Sequence, residues 1–218
     1  IVDAAAEVGP SEQLHTFIDM GADLVCISGG KGIRGPQASG ILCGRRDLIG
    51  SAVLQMLDMA GEDFEEWQPP ESLIPRSRLA GRPEHGIGRG MKVSKEDIIG
   101  LLVALEDFSS GGFERDIAVA EEAVRDISAG LSDLAGVRCR IMPGNCGYPA
   151  LELSVDEPTT GRSAREVVNR LASGKPSVRV NLVVSHGMPD TVVLESINLA
   201  RELTGVVKQS VRAALLDR

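Results

Sequence analysis

Cys26-Ile27-Ser28-Gly29-Gly30-Lys31-Gly32-Ile33-Arg34-Gly35-Pro36-Gln37 is the stretch that decides the fold. An apolar run leads into glycines that flank a lysine, and an acid, Asp3, stands 28 residues earlier behind another apolar start. A lysine amine forms a Schiff base with an aldehyde cofactor when some of it is neutral. A pyridine ring is a good electron sink only with its nitrogen protonated, which requires a carboxylate partner. Lys31 and Asp3 are the candidates for these two roles, and together they suggest pyridoxal phosphate. Ala5, two residues after Asp3 and on the same face if this segment is a strand, is small enough to lie beneath a planar ring. Ser28, three residues before Lys31, offers a hydroxyl to a phosphate, with the backbone amides of the glycines beside it.

Taken singly these parts are ordinary: Ser-x-x-Lys is a common loop sequence, and Gly-Gly makes turns. Their order is not ordinary. An apolar strand, an acid, small residues, a helix, a second strand, glycines and a lysine follow one another as a cofactor cradle needs them. Ser11 is placed to cap a helix to Met20, which Gly21 ends, and Asp23 to Ile27 reads as a buried strand. Ile41 to Cys43 is the next strand, and Arg45 to Leu57 is a helix with Leu48, Ile49, Ala52, Val53 and Met56 on one side. Residues 61–90, rich in proline, glycine and charge, are expected to hold no regular element and to serve as a functional segment.

Further on, Ser94 to Asp97 opens a helix that runs to Phe108, and Phe113 to Leu134 forms another. Shorter strands follow over 137–142 and 148–155, then a helix begun by a capping box of Ser163 and Glu166. Residues 178–184 and 191–197 read as paired strands with His186 to Asp190 in the turn, and 199–216 as a closing amphipathic helix. The domain boundary is expected near residue 93: 1–93 in a larger domain, 94–218 as bridging helices and a small α/β domain.

Composition narrows the function. The 218 residues carry 23 Lys+Arg against 31 Asp+Glu, a formal net charge of −8, which argues against a nucleic-acid surface. A local patch of Arg76, Arg78, Arg82 and Arg89 remains a candidate for a small phosphorylated ligand. Cys26, Cys43, Cys139 and Cys146 show neither CxxC spacing nor a secretory context, so a reduced, cytoplasmic protein is expected. No run reaches the roughly 18 apolar residues of a membrane span. His15, His85 and His186 are scattered without metal-ligand spacing. A loop histidine such as His85 is a proton carrier only with a partner, and none is identifiable.

Residues 3–50, read as Asp-Ala-Ala-Ala-Glu, Gly-Ala-Asp-Leu-Val, Ser-Gly-Gly-Lys-Gly-Ile-Arg-Gly-Pro-Gln-Ala-Ser-Gly and Gly-Arg-Arg-Asp-Leu-Ile, resemble the selenocysteine synthase-like family of fold type I pyridoxal phosphate enzymes. Gly88-Arg89-Gly90-Met91-Lys92-Val93-Ser94-Lys95-Glu96 resembles that family's stretch after the cofactor lysine. Gly-Gly-Lys-Gly-Ile with Gly-Pro-Gln looks more like the D-glucosaminate-6-phosphate ammonia-lyase-like branch than the L-seryl-tRNA(Sec) selenium transferases. The resemblance implies an aspartate aminotransferase-like α/β fold with an incomplete large domain and a small α+β C-terminal domain. The chain opens at Ile1-Val2-Asp3 with no glycine-rich phosphate loop before it, so a substantial N-terminal part is expected to be missing.

The resemblance further implies pyridoxal 5'-phosphate held through Lys31, Asp3, Ala5 and Ser28, and a homo-oligomer. The activity implied is that of a lyase, which takes an α-proton from an amino acid or amino-sugar acid and eliminates a β-substituent. Selenium transferase-like β-replacement and a catalytically inactive remnant are the alternatives. Arg179 is the implied carboxylate clamp. The family's arginine falls nearer Asn181, an offset of two that keeps the strand face. Arg89 and Lys92 are alternative anion ligands through the second matching block.

Overall fold

The structure, a computed structural model, describes residues 1–184 and 190–216. The chain divides into two compact units, Ile1–Gly111 and Gly112–Arg218.

The first unit is built on a small sheet. β1 (Val2–Asp3), β2 (Leu24–Ser28) and β3 (Gly40–Gly44) lie in that order, β2 parallel to β1 and antiparallel to β3. Within β2, Val25 and Ile27 are buried while Cys26 and Ser28 alternate with them on a half-buried face, as the two-residue period of a strand dictates. α1 (Gln13–Asp19) supplies the return between the parallel strands. Its cap is Glu12, one residue later than Ser11, and backbone bonds from Gln13 to Pro10 and from Leu14 to Ser11 make the turn that leads into it. α2 (Arg46–Leu54) follows β3, and Arg45 ahead of it joins Asp23 at 3.1 Å and Asp47 at 2.7 Å.

Residues 61–90 are more ordered than their composition suggests. α3 (Gly61–Glu66) and a 3-10 turn (Arg76–Arg78) stand where no regular element was expected. The reason is Arg76: its guanidinium lies 4.8 Å from the centroid of the Phe64 ring and donates to the carbonyls of Phe64 (2.8 Å) and Trp67 (2.8 Å). One side chain thus occupies carbonyls at the end of a short helix that propensity alone would not sustain.

α4 (Lys95–Asp107) begins as expected, with Ser94 Oγ accepting the Asp97 amide at 3.0 Å. It belongs to the first unit, whereas the sequence reading placed it after a boundary near residue 93. Side-chain contacts account for its place. Pro36 fits against Gly100, and Leu101 with Ala104 approach the loop that carries Lys31. The helical path breaks at 108–112, where Gly111 takes φ 87°, a value that favours glycine.

The second unit is a four-stranded antiparallel sheet backed by helices. Its elements are α5 (Phe113–Ala129), β4 (Val137–Pro143), β5 (Pro149–Val155), α6 (Glu157–Thr160), α7 (Ala164–Ser173), β6 (Asn181–Val183), β7 (Thr191–Glu195) and α8 (Thr204–Leu216). The strand order is β4-β5-β7-β6. Leu151 and Leu153 of β5 with Val192 and Leu194 of β7 form the inner face, on which Val124, Ile127, Val167, Leu171, Val211 and Leu215 of the helices close a core. Half of the expected capping box is present: Ser163 Oγ accepts the Glu166 amide at 3.2 Å, while the Glu166 carboxylate pairs with Arg162 at 2.7 Å instead of returning to the Ser163 amide.

α5 stops at Ala129 rather than Leu134. Gly130 is its C-cap, and Arg212 of α8 donates to the Gly130 carbonyl at 2.5 Å, which satisfies an end group of α5. The turn expected at His186 to Asp190 lies, except for Asp190, outside the described residues. No described helix is long and apolar enough to cross a membrane.

Candidate cofactor site

In the sheet register Asp3 lies beside Cys26, and Ser28 follows two residues along the same strand. Asp3, Cys26 and Ser28 therefore share one face, at the carboxyl ends of two parallel strands. Ligand crevices of open α/β sheets lie at such ends. Asp3 is exposed at the last paired position of β1, and its Oδ1 accepts the Ala5 amide at 3.1 Å. Its other oxygen has no hydrogen-bond partner among the described residues. Ala5 is half-buried but lies in a bend past the paired strand. The local hydrogen bond, rather than strand alternation, sets its place beside Asp3.

Lys31 is exposed in the turn that follows β2. The turn is tightly closed. The Gly29 amide donates to Ser39 at 3.0 Å, Gly35 to Gly29 at 2.8 Å and Arg34 to Lys31 at 2.9 Å. Gln37 Nε2 donates to the Gly30 carbonyl at 2.9 Å, and Ser39 Oγ to the Pro36 carbonyl at 2.6 Å. Glycine is required here by close approach: a Cβ on Gly30 would stand 2.6 Å from Gln37 Cα, and one on Gly29 2.8 Å from Leu101 Cδ1. The sequence reading used Gly-Pro-Gln only as a family likeness and missed both Gln37 as a clamp and α4 as the floor of the turn. Neither has a signal in local periodicity.

The other candidate residues fall elsewhere. Arg89 is half-buried in a turn, with Lys92 exposed just after it, and no hydrogen bond or ion pair joins either to Asp3, Ser28 or Lys31 among the described residues. The four-arginine patch is only partly available. Arg76 is committed to the Phe64 ring and nearby carbonyls, and Arg82 pairs with Glu84 at 2.9 Å. His85 is exposed at φ 55°, its amide bonded to Asp58 Oδ1. Arg179 lies in the second unit. Val178 and Val180 beside it pack on the core while Arg179 faces away. Arg179 and Asn181 are both exposed. The paired strand itself begins only at Asn181.

No family model matches the chain. It is 32% identical over 181 residues to a 5'-C-glycyluridine monooxygenase-decarboxylase from Streptomyces sp, covering 82% of this chain and 37% of that protein. It is 26% identical over 180 residues to the D-glucosaminate-6-phosphate ammonia lyase of Salmonella typhimurium, covering 82% of this chain and 39% of the relative. The chain thus spans less than half the length of either. Among solved structures, a D-glucosaminate-6-phosphate ammonia-lyase superposes with a TM-score of 0.65 at 22% identity, over 98% of this chain and 48% of that one. Mouse CSAD in apo form gives 0.55 at 14% identity, over 99% and 45%. These structural likenesses establish the fold. In sequence the chain is similar to D-glucosaminate-6-phosphate ammonia lyase, and its fold is the one that the solved ammonia-lyase shares with the pyridoxal phosphate-dependent aminotransferase-fold enzymes.

Proposed function

We propose that this chain carries the lysine half of a pyridoxal phosphate site and serves a lyase that eliminates a β-substituent from an amino acid or amino-sugar acid. The observation that carries this reading is the juxtaposition of Asp3 and Ser28 on one sheet face, with Lys31 on the turn that leaves the same strand end. The donor set fits the cofactor. An exposed amine suits its aldehyde, a carboxylate with one oxygen unengaged suits its ring nitrogen, and a half-buried hydroxyl beside glycine amides suits its phosphate.

When bound, pyridoxal phosphate supplies the electron sink that stabilises a carbanion at the substrate α-carbon. Lys31 would hold the cofactor aldehyde through its amine, and the same Nζ would take the α-proton of the substrate. Asp3 would favour a proton at the ring nitrogen. Ser28 would orient the phosphate, Ala5 would leave room for the ring, and Arg89 or Lys92 would receive the substrate carboxylate or a second anionic group. A cytoplasmic homo-oligomer goes with this reading. Selenium transferase-like β-replacement would use the same residues up to the α-carbanion, and a remnant without catalysis would use none. The likeness to the Streptomyces enzyme favours a second reading, in which a carboxylate rather than a proton leaves the α-carbon.

The test is product analysis. The chain with added pyridoxal phosphate is incubated with amino-sugar acids and their 6-phosphates, and ammonia, keto acid and carbon dioxide are measured. Ammonia and keto acid in equal amounts, absent in Lys31→Ala, support the lyase; carbon dioxide supports the second reading. No product from any of these in a folded, cofactor-loaded chain counts against both.

A further inference from the structure

We infer that Gln37 is a positioning residue for Lys31, fixing the direction in which the lysine leaves the backbone; this rests on the cofactor site proposed above. The argument is one of peptide geometry. The Gly30 carbonyl and the Lys31 amide belong to one rigid plane. Gln37 Nε2 holds that carbonyl at 2.9 Å. Gln37 also lies close along the same residue, since a Cβ on Gly30 would come within 2.6 Å of its Cα, 2.9 Å of its Oε1 and 3.0 Å of its Cδ. The plane that carries the Lys31 nitrogen is therefore held from outside the turn.

No other hydrogen bond reaches the Gly30 carbonyl among the described residues. The backbone bonds of the turn engage the carbonyls of Gly29 and Lys31 but not that of Gly30. The Lys31 side chain makes no hydrogen bond or ion pair among the described residues, so its direction comes from its own backbone. A long side chain magnifies a small rotation at its root, and a displacement of about 1 Å at a reacting atom costs about a hundredfold in rate. Gln37 itself is anchored on both sides. Pro36 rests on Gly100 of α4, and Ser39 Oγ closes back on the Pro36 carbonyl.

Gln37→Met keeps the length of the side chain and removes the donor. Two measurements on the chain test the role. In the absence of cofactor, amide hydrogen exchange over residues 29–35 is expected to quicken roughly three- to tenfold, the worth of one net hydrogen bond, with the second unit unchanged. With pyridoxal phosphate added, the share of bound cofactor that borohydride fixes on Lys31 is expected to fall by a similar factor. Loss of fold alone would lower total binding without changing that share. An unaltered exchange rate or an unaltered share in folded Gln37→Met overturns the proposal. If the wild-type chain itself fixes no cofactor on Lys31, the cofactor reading fails, and the exchange result alone then decides whether Gln37 holds the turn.

Discussion

The proposed site gives Asp3 a chemical part and Gly30 a steric one. Asp3→Asn keeps the size and the contact with Ala5 but offers no negative charge to a protonated ring nitrogen. Lys31 should still capture cofactor in this variant, while exchange of a substrate α-proton for deuterium, followed by NMR, should slow by about two orders of magnitude, as for loss of a preorganised charge. An undiminished exchange rate would remove Asp3 from the chemistry. Gly30→Ala places a Cβ 2.6 Å from Gln37 Cα, where backbone must move. Attachment of cofactor to Lys31 should be lost in this variant with the far-ultraviolet circular dichroism little changed, because the clash lies within one turn of the first unit.

Packing within the second unit sets stability at the scale of elements. Leu151 is fully buried between helices and sheet, so Leu151→Ala should cost about 2–5 kcal/mol in urea unfolding. Acid sensitivity has a defined source as well. The Arg212 guanidinium beside Asp133 holds its carboxyl below the usual carboxylate range. A folded-state pKa below the unfolded value of about 3.9 gives stability that is fully present above that value and is lost as pH falls through the folded pKa. Arg212→Met should therefore reduce stability at neutral pH and flatten its decline below about pH 4, which unfolding curves across pH 2–7 will show.

How much of this was legible depended on range along the chain. The caps at Ser94 and Ser163 could be read because cap and amide lie three residues apart. The buried face of β2 could be read because its period is local. α3 could not, since its support comes from Arg76, twelve residues beyond Phe64, and the end of α5 could not, since Arg212 lies 82 residues beyond Gly130. At the proposed site, Lys31, Asp3 and Ser28 stand out in the sequence as residue types in a suitable order. Their common face needed the parallel pairing of β1 with β2, and the grip of Gln37 and α4 on the turn appeared only in three dimensions.

Over the whole molecule, two units of similar size stand on separate cores, which makes a single two-state transition an unsafe description of unfolding. Leu151→Ala accordingly should lower the stability of the second unit while leaving capture of cofactor by the first unit within about twofold. The central claim is that Lys31 is the cofactor lysine. Its most direct test is to mix the purified chain with pyridoxal phosphate, reduce with borohydride, digest, and locate the adduct by mass spectrometry. The account predicts one dominant adduct, on Lys31, lost in Lys31→Ala and not transferred to Lys92 or Lys95. An adduct spread over several lysines, or one that survives Lys31→Ala, would contradict it.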